Sequence, residues 1–369
     1  MSNRCLILTQ ILESRIIKVP IIGKKYFRNA ARIKRHYYLL LHDWGVLKPV
    51  AFVAWLVTYR CNLKCSYCEA SSGEAGPNEL SFAEARQMID DLKKSGVKRI
   101  LLSGGEPLMR PDFMQPLDYI CQSGISPGLI SNGYHVESHW NELRKYPFFF
   151  YQSSLDGIPA FHDRIRGMED SFVRALRGLE LFSEIKTPVR IVQSVVHARN
   201  IDQLDAMLEY VRSSSATRWQ LTPLAQVGRA ANGELCLDYT GIQKVMAFIR
   251  KYQRTFPVDL CEANAYLACL NPTPLGYPFF CGAGLTRCSI MPDGEVVGCH
   301  QVYDNRYSEG NIKKRSFSDI WKNEFKRFRQ KDFRQECRAC SFLNQCQGGC
   351  WVEWCTRGTC YLQLDRNRD

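Results

Sequence analysis

From residue 51 to about residue 222, short apolar runs alternate with longer stretches of helical period, and this alternation sets the expected fold. Residues 51–58 read as a buried strand. Ser81-Phe82-Ala83-Glu84 is a capping box that opens a helix with Phe82, Ala85, Ile89 and Leu92 on one face, and Gly96 ends it. Further strands are predicted over residues 98–103, 127–131, 148–155, 189–196 and 218–222. Helices are predicted between them over about 111–122, 137–145, 171–184 and 201–213. Six strands separated by helices predict an α/β fold with a parallel sheet and right-handed crossovers. In barrels of such units the chemistry gathers at the C-terminal strand ends. After Gly228-Arg229-Ala230 the alternation fades into a helical connector over about 239–254 and a Pro-rich stretch over 271–278.

The chain has 369 residues, 45 % of them hydrophobic and 12 % aromatic, enough for two or three globular domains. Its 17 cysteines are the anomaly. The N-terminus lacks a clean secretory pattern, and the cysteines cluster at short metal-binding gaps instead of pairing as in secreted scaffolds, which points to a cytoplasmic protein. The longest apolar run, residues 50–57, falls far short of the ~20 residues that span a bilayer. Of the net charge of +12, residues 1–50 carry +8, ten Lys or Arg against Glu13 and Asp43. This basic arm interleaves Lys24, Lys25, Arg28, Arg32, Lys34 and Arg35 with Tyr26, Phe27, Ile33, Tyr37, Tyr38 and Leu39. Three readings stand: an amphipathic helix in peripheral contact with anionic lipid, a dock for an acidic peptide, or a solvated helix packed on the domain. No RNA-recognition signature is present, and no nucleic-acid partner is expected.

Directly after the first strand comes Arg60-Cys61-Asn62-Leu63-Lys64-Cys65-Ser66-Tyr67-Cys68. A C-x3-C-x2-C loop can close three thiolates on an iron–sulfur cube and leave the fourth iron without a protein ligand. Structural zinc would want a fourth ligand nearby, and the next histidine is His135. The spacing resembles the radical S-adenosylmethionine (SAM) superfamily. The resemblance implies a partial (β/α)6 TIM-like barrel, in agreement with the six predicted strands. It also implies a [4Fe–4S] cluster at Cys61, Cys65 and Cys68 whose open iron binds SAM. One-electron reduction, with a flavodoxin- or ferredoxin-type protein as donor, would split SAM into methionine and a 5′-deoxyadenosyl radical.

Ser103-Gly104-Gly105-Glu106-Pro107 follows the second strand. Paired glycines let backbone approach a ligand closely, although alone the turn is equally an ordinary structural one. Behind the cysteine triad it is similar to the family's methionine-binding motif, so Gly104, Gly105, Glu106 and Pro107 would hold the aminoacyl end of SAM. Ser131-Asn132-Gly133 and Ser153-Ser154-Leu155-Asp156-Gly157 close the next two strands with short polar side chains, the type of group that orients a ribose or carboxylate. Arg166 lies twelve residues after Ser154, and the pair looks like the serine and arginine that relatives use for SAM. Tyr67 is read either as packing on the adenine or as a core tyrosine.

Cysteines resume at Cys281 and run Cys281-x6-Cys288-x10-Cys299, then Cys337-x2-Cys340-x5-Cys346-x3-Cys350, then Cys355 and Cys360. This resembles the SPASM extension of radical SAM enzymes, whose C-(x9–15)-G-x4-C segment is matched by Cys281, Gly294 and Cys299. The resemblance implies two auxiliary iron–sulfur clusters, expected as [4Fe–4S]. One would take Cys281, Cys299 and Cys350 with Cys288 as fourth ligand. The other would take Cys337, Cys340 and Cys346 with Cys355 or Cys360. Cys5, Cys121, Cys236, Cys261 and Cys269 have no partner at ligand spacing and default to buried thiols. His300 occupies the position where sulfatase-maturing relatives carry an aspartate base. An imidazole there can accept a proton, or it can simply bond backbone beside a cluster.

The expected organisation is therefore a basic arm (1–50), a partial barrel (51–230), a helical connector (231–280) and a small cysteine-rich domain (281–369). The expected activity is radical SAM oxidoreduction, with a hydrogen atom taken from a substrate C–H bond, in peptide or protein maturation. The same chemistry on a small molecule, a tetrapyrrole or quinone precursor or a lipid-linked substrate is the alternative, with the arm resting on membrane. A zinc-binding scaffold is the non-enzymatic one.

Overall fold

A computed structural model of the chain describes residues 24–46, 52–261, 281–301, 304–330 and 332–356. Seven parallel strands succeed one another across one sheet: β1 (Phe52–Leu56), β2 (Arg99–Ser103), β3 (Ser126–Ile130), β4 (Phe150–Ser154), β5 (Val189–Val196), β6 (Arg218–Pro223) and β7 (Val258–Leu260). The helices between them are α2 (Phe82–Lys94), α3 (Met114–Gln122), α4 (Trp140–Leu143), α5 (Pro159–Arg166), α6 (Ser171–Glu184), α7 (Leu204–Ser213) and α8 (Tyr239–Tyr252). Val53, Trp55 and Val57 of the first strand and its extension face the main core under the helices, whereas Leu56 packs with Met291 and Val297 on the opposite side. Period-two alternation thus fills both faces, as parallel sheets require.

The capping box at Ser81 forms as read, the Ser81 hydroxyl accepting from Glu84 N and the Glu84 carboxylate from Ser81 N at 2.8 Å. The α2 side chains Ala85, Met88, Ile89 and Leu92 are buried. Residues 137–145 do not make a full helix. His139, Trp140 and Glu142 instead donate to carbonyls three residues earlier, and only four residues reach α-helical form.

The larger difference lies at the other end of the sheet. β8 (Arg287–Ile290) pairs in parallel with β1, Cys288 standing opposite Val53. β9 (Glu295–Val297) and β10 (Ser308–Asn311) continue antiparallel from it, giving ten strands in one sheet instead of six. The C-terminal region is thus hydrogen-bonded directly to the strand that delivers the cysteine triad. Five short helices follow: α9 (Phe317–Asn323), α10 (Lys326–Arg329), α11 (Gln335–Arg338), α12 (Leu343–Cys346) and α13 (Trp351–Thr356).

Of the basic arm, α1 (Lys24–Asp43) is described, and it packs on this C-terminal region. Tyr38 is 5 % exposed in the main core. Arg35 Nη2 donates to the carbonyls of Phe328 and Arg329 at 2.9 and 2.8 Å, and His42 Nε2 lies 3.0 Å from the Lys322 carbonyl. Of the three readings of the arm, the packed helix describes this face. No described helix is long and apolar enough to cross a membrane.

Candidate functional site

The cysteine loop is tied down at both ends. Glu79 gathers it from below, accepting from the Thr58 hydroxyl, from Tyr59 N at 2.8 Å and from Gly76 N at 2.9 Å. Cys61 N donates to Gly73 O at 2.9 Å, while Lys64 N and Ser66 N donate to Arg166 O and Ile165 O at the end of α5. Leu63 and Tyr67 are buried and anchor the loop between the cysteines. Burial pushes the Cys61 thiol up to about 12, an effect that Leu63 N–H opposes and that Glu106 and the neighbouring Cys65 and Cys68 reinforce. Cys65 is raised for the same first reason, against the pull of Arg166. Partly buried thiols held protonated like Cys61 and Cys65 give up their protons only to a strongly cationic centre, and Cys68 stands beside them as the third sulfur. That donor set fits an iron–sulfur group. Among the described residues, no three Cys, His, Asp or Glu side chains close on a single metal ion.

The Gly-Gly-Glu turn lies against this loop. A Cβ on Gly105 would fall 2.2 Å from the Arg60 carbonyl oxygen, and one on Gly104, whose φ is +139°, would fall 2.4 Å from that of Thr58. The glycines therefore serve a backbone-to-backbone approach, with Gly105 N and Glu106 N donating to Thr58 O and Arg60 O. Pro107 opens a single buried 3-10 turn over Pro107–Met109.

Glu106 is fully buried and accepts from Leu108 N (3.2 Å), the Ser131 hydroxyl (3.0 Å) and Asn132 N (2.8 Å). Burial pushes its carboxyl up to about 7 against these three donors. Ser131 and the Asn132 backbone are thus spent on Glu106. The Asn132 side chain reaches the loop instead, donating to Asn62 Oδ1 at 2.9 Å and lying 4.0 Å from Cys61 Sγ. Asn62 Nδ2 is buried without a hydrogen-bond partner beside Cys61, the orphan donor that a bound polar ligand such as SAM would satisfy.

Asp156 is the residue that sequence reasoning passed over. It is fully buried and accepts from Arg166 Nε (2.7 Å), the Tyr67 hydroxyl and Val195 N (2.7 Å). Asn200 donates to its carbonyl and its own N–H to His162 Nδ1. Burial alone would raise the carboxyl, but Arg166, His162, Tyr67 and Val195 together hold it below the ordinary range. Arg166 is held charged by Asp156 against its own burial. Tyr67 lies among Leu224, Ala230 and Leu235, beside Cys65, the surroundings of a core tyrosine. Ser154 ends β4 half-buried, opposite Gln193.

Among the C-terminal cysteines, Cys299 is central. Burial pushes its thiol up to about 12, the Gln301 backbone N–H opposes this, and Cys281 raises it further. It packs against the cluster that holds Cys350, Ala225 and Val227. Cys288 stands apart, 1 % exposed within β8. Burial raises its thiol, and the charge of Arg329 opposes this. Cys337, Cys340 and Cys346 lie on consecutive tight turns through α11 and α12, Cys340 N donating to Cys337 O at 3.0 Å. Cys355 is in α13, half-buried and hydrogen-bonded to Tyr307. Cys360 lies outside the described residues, as do Cys5 and Cys269.

His300 faces the cysteine loop across the gap between the two regions. Its Nδ1 is 3.2 Å from Ser289 Oγ and its Nε2 is 3.9 Å from Glu69 Oε1, the residue after Cys68. Each side chain keeps about a third of its surface open, 35 and 36 %. Burial, aided by Arg287, lowers the His300 imidazole to about 4, and burial raises Glu69 to about 7 against a hydrogen bond from Gln301. Glu69 carried no signal in the sequence beyond its place next to Cys68.

Residues 55–211 match the model of the Radical SAM superfamily. Over 322 residues the chain is 31 % identical to the mycofactocin maturase MftC of Mycobacterium ulcerans, covering 84 % of each. The chain belongs to the radical SAM superfamily. Residues 281–341 of this radical SAM chain match the model of an iron–sulfur cluster-binding domain, SPASM. The two domains imply a SAM-binding [4Fe–4S] cluster and auxiliary iron–sulfur clusters. The Fe-coproporphyrin III synthase of Methanosarcina barkeri is 27 % identical over 93 % of this chain and 94 % of its own length. Streptococcus suis SuiB, solved with its precursor peptide SuiA, shares the fold with a TM-score of 0.69 at 16 % identity, over 95 % of this chain and 84 % of that one. The anSMEcpe enzyme with bound AdoMet and a peptide does so with a TM-score of 0.66 at 18 % identity, over 85 % of this chain and 95 % of that one.

Proposed function

We propose that this radical SAM enzyme takes a hydrogen atom from a C–H bond of a peptide held between the cysteine loop and the Cys299-His300-Gln301 segment, and that a net oxidation or cross-link results. The observation that carries the reading is the approach of His300 to Glu69, which brings the segment after Cys299 against the triad loop. When bound at Cys61, Cys65 and Cys68, the iron–sulfur group and SAM supply the radical chemistry.

The chain's own residues bind and orient. Gly104, Gly105, Glu106 and Pro107, with Ser131, Asn132, Ser154 and Arg166, build the wall behind SAM through their bonds to one another and to the loop, and the Asn62 amide offers it an unpaired donor. Glu106 and Arg166 are pre-set by their buried hydrogen bonds, so little ordering is left for the binding step. His300, neutral near pH 7, accepts the proton that an oxidised substrate releases. Cys281, Cys299 and Cys350 hold one auxiliary group, and Cys337, Cys340 and Cys346 with Cys355 or Cys360 hold another. SuiB and anSMEcpe, each solved with a peptide, and MftC, a maturase, support a peptide substrate.

Fe-coproporphyrin III synthase supports a second reading, a tetrapyrrole substrate, through coverage of nearly the whole of both chains. Anaerobic reconstitution with iron and sulfide, then dithionite and SAM, tests the shared chemistry. 5′-Deoxyadenosine should form, and Cys65→Ala should abolish it. A wild-type preparation that holds its iron yet releases none refutes the proposal. Formation of Fe-coproporphyrin III from a tetrapyrrole precursor, with no mass change in a candidate precursor peptide, would decide for the tetrapyrrole.

A further inference from the structure

The cysteine loop is gripped from a side that neither the motif order nor the family resemblance indicates. β6 ends at Pro223, and a single 3-10 turn, Gly228–Ala230, then comes down on the loop. Arg229 N donates to Cys68 O at 3.0 Å, Arg229 Nη1 to Cys65 O at 2.7 Å, and Nη2 to Ser72 O. One residue therefore satisfies three carbonyls spread over eight positions of the loop. Gly228, with φ of +55°, permits the approach, since a Cβ there would lie 2.3 Å from both Cys68 O and Glu69 O. The next residue, Ala230, is buried against Tyr67, so the turn also backs the tyrosine that Asp156 holds.

The guanidinium is a planar fork with several donors, and here it joins the carbonyls of Cys65 and Ser72, on opposite sides of Cys68. A fixed cation this near a cysteine-held iron group stabilises its reduced, more negative state, because net charge and hydrogen bonding set the potential of such groups.

We propose that Gly228 and Arg229 form a latch that fixes the backbone of the three-cysteine loop and supplies the positive charge that makes the group it holds easier to reduce. The proposal rests on the reading of Cys61, Cys65 and Cys68 as iron ligands. Arg229 is a positioning residue, acting on the loop and not on a substrate.

Two measurements on the reconstituted full-length chain test it. In hydrogen exchange, Arg229→Gln and Gly228→Ala should expose amides 61–73 at least tenfold faster than wild type, with the sheet unaffected. In potentiometric titration, followed by the iron signal that changes on adding SAM, Arg229→Gln should shift the midpoint negative. The expected shift is about tenfold in the oxidised-to-reduced ratio at a fixed potential, about 59 mV for one electron. Arg229→Lys, a point charge without the fork, should recover most of the potential but not the exchange protection. Arg229→Gln matching wild type in both readouts overturns the latch, and an unshifted potential alone overturns its electrostatic half. A wild-type protein with no SAM-responsive iron signal would instead sink the underlying assignment of the three cysteines, a result separable from either.

Discussion

Asp156→Asn should be among the most damaging single-atom changes available in this protein. The carboxylate is fully buried and holds the Arg166 guanidinium, the Tyr67 hydroxyl and Val195 N–H at once. An amide in its place keeps one acceptor and turns a donor toward donors, leaving a buried guanidinium without its counter-charge. Removing one partner of a buried ion pair costs about 3–5 kcal/mol, a large share of the ~5–15 kcal/mol that keeps a protein folded. Urea unfolding by tryptophan fluorescence, with hydrogen exchange to localise the loss, should show destabilisation of that size centred on α5 and the cysteine loop. The double variant Asp156→Leu with Arg166→Leu should recover only part of it, because the unpaired charge is gone while the Tyr67 hydroxyl and Val195 N–H still lose their acceptor. The Asp156 carboxyl is held below its usual range, so its contribution is complete above the unfolded value near ~3.9 and is lost as pH falls through the lower folded value. An Asp156→Asn protein within about 1 kcal/mol of wild type, outside the range for a broken buried pair, would refute the reasoning.

Glu106 should act in the opposite sense. Its carboxyl is raised from 4.5 to about 7 by burial, so the folded chain keeps a proton that the unfolded chain has released. Stability should fall by roughly 3 kcal/mol as pH rises from about 4.5 to 7, at ~1.4 kcal/mol per unit, and Glu106→Gln should flatten that slope in urea titrations between pH 5 and 8. An unchanged slope would point to another group. Cys288→Ser should retain full iron on reconstitution, whereas Cys299→Ser should lose about four iron atoms, one [4Fe–4S] unit. Equal losses would restore Cys288 as a ligand. On α1, Tyr38→Ala should cost about 3 kcal/mol, because the ring is 5 % exposed. Trp44→Ala, at 67 % exposure, should stay within about 0.5 kcal/mol, and similar values for the two would mean that the arm does not pack as described.

What the sequence made legible was whatever it wrote locally. Residues 189–196 and 171–184 end where read, because apolar period is a property of a few neighbouring residues. The cysteine spacings, Glu106 and Arg166 were equally plain. Helix α5 was missed although Pro159 opens it and the left-handed Gly167 closes it, a signal present and unread. The pairing of β8 with β1 joins residues more than 230 positions apart, and no local pattern encodes such a partner. Asp156, Glu69 and Arg229 went unnoticed for the same reason. Their identities are common in turns, and only the fold brings Asp156 to Arg166, Glu69 to His300 and Arg229 to Cys65.

The placement of β8 also determines how the molecule can fail. Without residues beyond 281, β1 would present a bare ladder edge of Phe52, Val53, Ala54, Trp55 and Leu56. That is a long apolar template on which other chains can assemble. The C-terminal region therefore guards the solubility of the catalytic half, and shortened versions of this chain should collect in inclusion bodies before any question of their chemistry arises.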